Sequence, residues 1–175
     1  MSRAVRFAPL ALLILVVAAL VWRLATPADT DVHSRLVNKP VPAFSLPAAL
    51  PRKPGLSSAD LATGKPRLVN VFASWCVPCI TEVKVLQLLR RSGVVIDGIA
   101  VRDRPDDLAA FLAENGDPYA RIGSDAESRV QIALGASGVP ESFIVDGKGV
   151  IRDQHIGPIE AADVPAIMRK LEAAR

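Results

Sequence analysis

Leu68-Val69-Asn70-Val71-Phe72-Ala73-Ser74-Trp75-Cys76-Val77-Pro78-Cys79-Ile80-Thr81-Glu82 is the stretch from which the rest of the chain is read. Leu68, Val69, Val71 and Phe72 make a short apolar, largely β-branched run, the pattern of a buried strand. Ala73, Ser74 and Trp75 form a tight exit, and a periodic segment from Ile80 to Arg91 predicts a helix. Cys76 then falls at the N-cap or first turn of that helix, and Pro78 sits where a missing N–H costs nothing. Free backbone N–H groups and the positive end of the helix dipole favour a thiolate at such a position. A second thiol one helical turn on, Cys79, can resolve a mixed disulfide formed by the first. The expectation is an exposed Cys76, a shielded Cys79 and dithiol–disulfide chemistry.

Other uses of a Cys pair fit less well. A structural zinc site takes about four ligands, whereas this chain offers two Cys and two distant His, His33 and His155. Covalent haem attachment requires His directly after the second Cys, where Ile80 stands. A purely structural disulfide would close a very small loop and restrict the unfolded chain little.

The chain has 175 residues, room for one domain of ordinary size and a short appendage. Arg3 and Arg6 precede an apolar run from Phe7 to Trp22. As a helix those residues span about 24 Å, against a bilayer core of about 30 Å. Leu24 and Ala25 extend the span if Arg23 snorkels. A cleaved signal peptide shares the charged start, but Trp22 and Arg23 spoil the small-residue pattern a peptidase needs. An uncleaved signal-anchor over residues 1–25 is the better reading, with the N-terminus in the cytoplasm and the remainder exported. Arg3, Arg6 and Arg23 are the only charged residues there, so the rest of the chain carries 18 basic and 18 acidic residues. No basic face suggests nucleic acid. Residues 26–39 read as a linker in which His33 is solvated, and residues 40–175 as the folded domain.

Pro40 to Leu50, PVPAFSLPAAL, holds too many prolines for a central strand. It reads as an edge strand or extended lead-in with Phe44 and Leu46 on the core. Pro51 to Lys65 is turn-rich. Gly93 closes the redox helix, and Val94 to Val101 is a second buried strand, giving a βαβ unit with parallel strands. Asp106 to Asn115 and Ala126 to Leu134 predict helices. Ser142 to Val145 and Val150 to Gln154, joined at Asp146-Gly147, predict a hairpin, and an amphipathic helix with Ile167, Met168 and Leu171 ends the chain. This order makes an α/β sandwich around a mixed sheet, with His155 structural or solvated.

Two further features carry chemical information. Gly138-Val139-Pro140-Glu141 stands just before the Ser142 strand, a place compatible with a cis peptide bond. If this turn faces the Cys pair, the Val139 backbone can pair with an extended peptide; otherwise it is an ordinary rigid turn. Glu82, at about 100° per residue, projects between Leu86 and Leu89 on the face that also holds Val83. A carboxylate there either snorkels to the rim or stands partly desolvated and relays the proton of Cys79.

These residues resemble a known family. Trp75-Cys76-x-x-Cys79 after a strand, with Val139-Pro140 before a later one, resembles the thioredoxin superfamily. PVPAFSLPAAL, LVNVFASWCVPCITE, DPYA at Asp117 to Ala120 and GASGVPESFIVDGKGVI from Gly135 to Ile151 closely resemble the DsbE/CcmG family. The resemblance implies a thioredoxin-like sandwich, with a central mixed sheet flanked by helices, behind one N-terminal transmembrane helix. It implies Cys76 as the attacking and Cys79 as the resolving cysteine, and Pro140 as a cis-proline. Glu82 and Glu141 match the family's acidic residues near the site, and Trp75, Val139, Pro140 and Glu141 form the expected client-binding set. The only redox group implied is the Cys76–Cys79 disulfide, with no separate cofactor or metal. The implied setting is the bacterial inner membrane, with the catalytic domain in the periplasm. There the protein is a reductant for the haem-binding CxxCH of apocytochrome c or for a CcmH-like thiol protein, and a DsbD/CcdA-type membrane protein donates its electrons. A general TlpA-like reductant and a non-catalytic module that holds apocytochrome are the competing readings. A DsbA-like oxidant lacks room for its helical insertion, and the chain has no Thr-x-x-Cys of a peroxidase.

Overall fold

A computed structural model describes residues 3–25 and 34–175, so His33 and most of the expected linker lie outside the described residues. The chain divides into two units, Met1–Asp31 and Val32–Arg175. In the first, α1 (Arg3–Ala25) is a 23-residue helix with Pro9 inside it. Among the described residues no helix is long and apolar enough to cross a membrane. The structure gives this segment helical form and does not establish the expected transmembrane span.

The second unit is built on β3 (Arg67–Phe72), in which every residue is buried. Its side chains alternate between two cores, as the period of two requires: Leu68 and Phe72 join one cluster, Val69 and Val71 the other. The tight exit leads into α3 (Val77–Arg91), and β4 (Ile96–Val101) returns parallel to β3, with Asn70 opposite Gly98. After α4 (Pro105–Asn115) comes β5 (Arg121–Asp125), parallel to β4. Then α5 (Arg129–Leu134), β6 (Glu141–Val145), β7 (Ile151–Ile156) and α6 (Val164–Ala173) complete the unit. The sheet order is β5-β4-β3-β6-β7, with β6 antiparallel to both β3 and β7. The first core joins α3, α4 and α6 to the sheet through Leu86, Phe111 and Ile167. The second joins α5 and the lead-in to the opposite face through Leu134 and Phe44.

The sheet is therefore the expected mixed one, with one strand more than the sequence pattern gave. β5, Arg-Ile-Gly-Ser-Asp, has a single large apolar residue. Gly123 within it is required by packing, since a Cβ there would stand 2.7 Å from Leu46 Cβ. Leu46 belongs to β1 (Ser45–Leu46), which pairs with β2 (Leu56–Ser57) ahead of the short α2 (Ser58–Leu61). The proline-rich lead-in covers the outer edge of β5, with Ser124 N–H donating to Pro47 O and Ala49 N–H to Ile122 O. That edge is thus closed to other chains. The packing also begins before Pro40: Ser34 is buried, its hydroxyl donates to Leu134 O, and Leu36 and Val37 lie on the second core. Residues 34–39 are part of the folded unit and not a free linker.

Candidate active site

The strand that exits at Phe72 and the one that starts at Glu141 are neighbours, with Val71 opposite Glu141. The Cys76 turn and the Pro140 loop therefore meet at one end of the sheet. The Val139–Pro140 bond is cis, and Val139 packs on the cluster that contains both cysteines.

Cys76 is the N-cap of α3, as the sequence pattern required, with Pro78 in the first turn. The cysteines are joined, S–S 2.08 Å, and the Cys79 backbone N–H donates to Cys76 Sγ at 3.3 Å. An N–H directed at sulfur favours the thiolate once the bond is opened. Contrary to expectation, Cys76 is only 4% exposed in this disulfide form. Its neighbours carry the exposure instead, Trp75 at 58% and Val77 at 72%, so an apolar rim surrounds the disulfide. The exit loop is held by Asp103, which accepts from Ser74 N–H at 2.6 Å and from the Ser74 hydroxyl. Trp75 Nε1 donates to Arg102 O at 3.3 Å. The indole lines two grooves, one of 490 Å³ shared with Ile80 and Asp103, the other of 270 Å³ shared with Ile132, Gly138 and Val139.

Glu82 does not snorkel. It is 1% exposed, with Oε1 accepting from Ile159 N–H at 3.0 Å and Oε2 from Asn70 Nδ2 at 3.1 Å. Burial pushes its carboxyl up to about 7, against the opposing effect of those two hydrogen bonds. A buried acid one helical turn past Cys79 that changes protonation near neutral pH can accept a thiol proton.

Glu141 corrects the sequence reading. Placed there in the client-binding set, it is 1% exposed. Its Oε1 accepts from Ser137 N–H, Ser137 Oγ and Gly138 N–H at 2.7, 2.6 and 2.9 Å, and its Oε2 accepts from Gln154 Nε2 at 2.6 Å. The carboxylate turns inward because those backbone donors curl around it. It braces the loop that presents Val139 and Pro140. Pro140 is itself buried, which leaves Trp75 and half-buried Val139 as the groove-lining members of the expected set.

A family model described as Redoxin matches residues 36–171. The thiol:disulfide interchange protein DsbE of Pseudomonas fluorescens biotype C is 42% identical over 160 residues, 91% of this chain and 88% of that one. DsbE of Escherichia coli (strain K12) is 37% identical over 91% of this chain and 88% of its own length. The thiol:disulfide interchange protein HelX of Rhodobacter capsulatus is 36% identical over 91% and 90%. The chain belongs to the DsbE/HelX family of thiol:disulfide interchange proteins. Its fold is thioredoxin-like. A thiol:disulfide interchange protein of the thioredoxin family from Chlorobium tepidum TLS superposes with a TM-score of 0.62 at 28% identity, covering 81% of this chain and 98% of that one.

As a DsbE/HelX-family protein it is a thiol:disulfide oxidoreductase, and its chemistry rests on the Cys76–Cys79 pair. Around that pair the structure adds residues the sequence reading passed over: Asn70, Tyr119, Ser142 and Asp103. Asn70 had a visible signal, a polar residue inside the apolar run Leu68–Phe72, at the register that faces α3. Tyr119 is the only tyrosine of the chain. The role of Asp103 depends on where β4 ends and had no local signal.

Proposed function

We propose that this chain is a membrane-anchored periplasmic reductant of cytochrome c maturation. Its client is the oxidised haem-binding CxxCH of apocytochrome c or a CcmH-like thiol protein, and a DsbD/CcdA-type membrane donor re-reduces it. The observation that carries the chemistry is an N-capping cysteine whose partner lies one turn ahead of a buried acid titrating near neutrality.

The Cys76 thiolate attacks one sulfur of the client disulfide. That bond breaks, the other client sulfur leaves as thiolate, and a mixed disulfide joins client to Cys76. Cys79 then gives its proton to the Glu82 carboxylate and attacks Cys76 Sγ. The Cys76–Cys79 bond forms, the mixed bond breaks, and the second client sulfur leaves to take up a proton. Two electrons have passed from the dithiol to the client. Trp75 and Val139 on the shared groove wall suit an extended peptide crossing the disulfide.

Direction and client rest on the family resemblance and on chemical demand. An exported compartment keeps CxxC thiols closed, while haem attachment needs them open, so a dedicated reductant is required. The anchor is supported by the charge-free run from Phe7 to Trp22 behind Arg3 and Arg6. Cells lacking the chain should lose c-type cytochromes and recover them with an added small-molecule thiol. The Cys79→Ser variant should accumulate a mixed disulfide with apocytochrome c. Normal cytochrome levels, with no paralogue present, would transfer the chain to general disulfide reduction.

A further inference from the structure

Glu82 does not meet the core alone. Asn70 Nδ2 donates both to Glu82 Oε2 at 3.1 Å and to Ser142 Oγ at 3.0 Å. On its other side Asn70 Oδ1 accepts from the Tyr119 hydroxyl at 2.8 Å. All four residues are at most 1% exposed. Tyr119 reaches this point because Gly98, opposite Asn70 on β4, has no side chain. A Cβ on Gly98 would stand 2.8 Å from Phe72 Cε1 and 3.0 Å from Tyr119 Cδ1. The Tyr119 ring stacks on Phe72, centroids 4.4 Å apart, and its backbone is tied down by Tyr119 N–H donating to Asp117 Oδ1.

The donors and acceptors in this chain of bonds are mutually forced. An ionised carboxylate only accepts, so the amide nitrogen of Asn70 must face Glu82. Its oxygen must then face Tyr119, whose hydroxyl donates to it. Turning the amide over would set oxygen against the carboxylate and leave the buried tyrosine hydrogen without its acceptor, a penalty that falls in full on a buried donor.

We propose that Asn70 and Tyr119 are positioning residues of the exchange reaction: Tyr119 fixes which way the Asn70 amide faces, and Asn70 thereby holds the Glu82 carboxylate in its accepting orientation. This rests on Glu82 being the acceptor for the Cys79 proton. Without the phenol hydroxyl the amide is released, and a protonated Glu82 can instead donate to Asn70 Oδ1, so the acid holds its proton to higher pH. The titratable groups around Glu82 are few. Cys79 on its own helix is closed in the disulfide. The Tyr119 phenol is held well above its ordinary value, first by burial and then by the Glu82 charge. β6 contributes neutral Ser142, and the segment after β7 contributes the Ile159 N–H.

The test reads Glu82 directly, in the full-length disulfide form in detergent, where no thiol titrates. Infrared titration of the protonated-carboxyl band, taken as a difference against Glu82→Gln, gives its midpoint. Tyr119→Phe keeps the ring and its stack, and should move the midpoint up by about one pH unit, the scale of a hydrogen bond to a charged group. Asn70→Leu should move it at least as far. Phe111→Leu, which disturbs the aromatic cluster around Phe72 but no member of the hydrogen-bonded chain, should leave it in place. The pH profile of client release from the mixed disulfide should shift with the infrared midpoint. A midpoint that stays or falls in Tyr119→Phe or in Asn70→Leu, or moves equally in Phe111→Leu, overturns the proposal. A midpoint that shifts while the release profile stays fixed upholds the positioning of Glu82 and removes Glu82 from proton transfer, so the two readings fail separately.

Discussion

Two buried carboxylates flank the disulfide, and they are held in opposite ways. Glu141 accepts from four donors, three of them in the Ser137–Gly138 turn and one on Gln154. Glu82, equally buried, accepts from one backbone N–H and one amide, and burial outweighs them so that it titrates at about 7. The difference separates a brace from a group able to accept a proton. A carboxylate surrounded by donors is a structural anchor whose removal orphans them. One with few donors stays near the point where it can gain or lose a proton during turnover. Exposure alone does not distinguish them.

The largest expected break in this contrast is Glu141→Ala. It orphans the donors of the Ser137–Gly138 turn, and urea unfolding should show a loss of about 3–5 kcal/mol. Client reduction should weaken as well, because Val139 and Pro140 lose their support. A gain in stability would mean that Glu141 is no brace.

Glu82→Gln should act with the opposite sign. The unfolded chain releases this proton near its ordinary value of 4.5, whereas the native chain keeps it until about 7. Between those values the native state binds more protons, so this group's contribution to stability falls as pH rises through the window and levels off above it. Unfolding measured at pH 8 should show the Gln variant more stable by up to about 3 kcal/mol. At pH 4, where Glu82 is mostly neutral in both states, the gain should nearly vanish. A gain independent of pH would contradict the raised value.

Smaller effects sharpen the contrast. Gln154→Leu removes one of the four donors to Glu141 together with the acceptor of the Ser34 N–H, and leaves Glu82 untouched. It should cost about 1–2 kcal/mol and leave the pH dependence of exchange where it was. Trp75→Ala, across the groove from Val139, should lower kcat/KM for an oxidised CxxCH peptide about fivefold, close to 1 kcal/mol, with little change for a small-molecule disulfide. Equal losses for both would give Trp75 a role at the disulfide itself.

Much of this site was legible because its signals are local. The N-capping Cys76, Pro78 in the first turn, Gly93 after its helix, and the alternation of Leu68, Val69, Val71 and Phe72 all act within a few residues. What escaped depends on distant parts of the chain. β5 is held as a strand by β4 on one side and the Pro47–Ala49 lead-in on the other, and its own composition barely favours it. Glu141 follows Pro140 in sequence, but the direction of its side chain is decided by donors in the turn before it and on β7. Asn70 and Tyr119 meet only because Gly98 leaves the space.

The most direct measurement is the release of client from its mixed disulfide with Cys76, followed by rapid mixing across pH in the full-length chain and its Glu82→Gln variant. With Glu82 as proton acceptor, release by the unaltered chain should rise with pH through a midpoint near 7. In the variant it should lose that midpoint and slow by about a hundredfold, a typical contribution of general-base catalysis, while the initial attack by Cys76 keeps its rate. Superimposable release profiles, or an effect confined to the attack step, would contradict the assignment of Glu82 to Cys79.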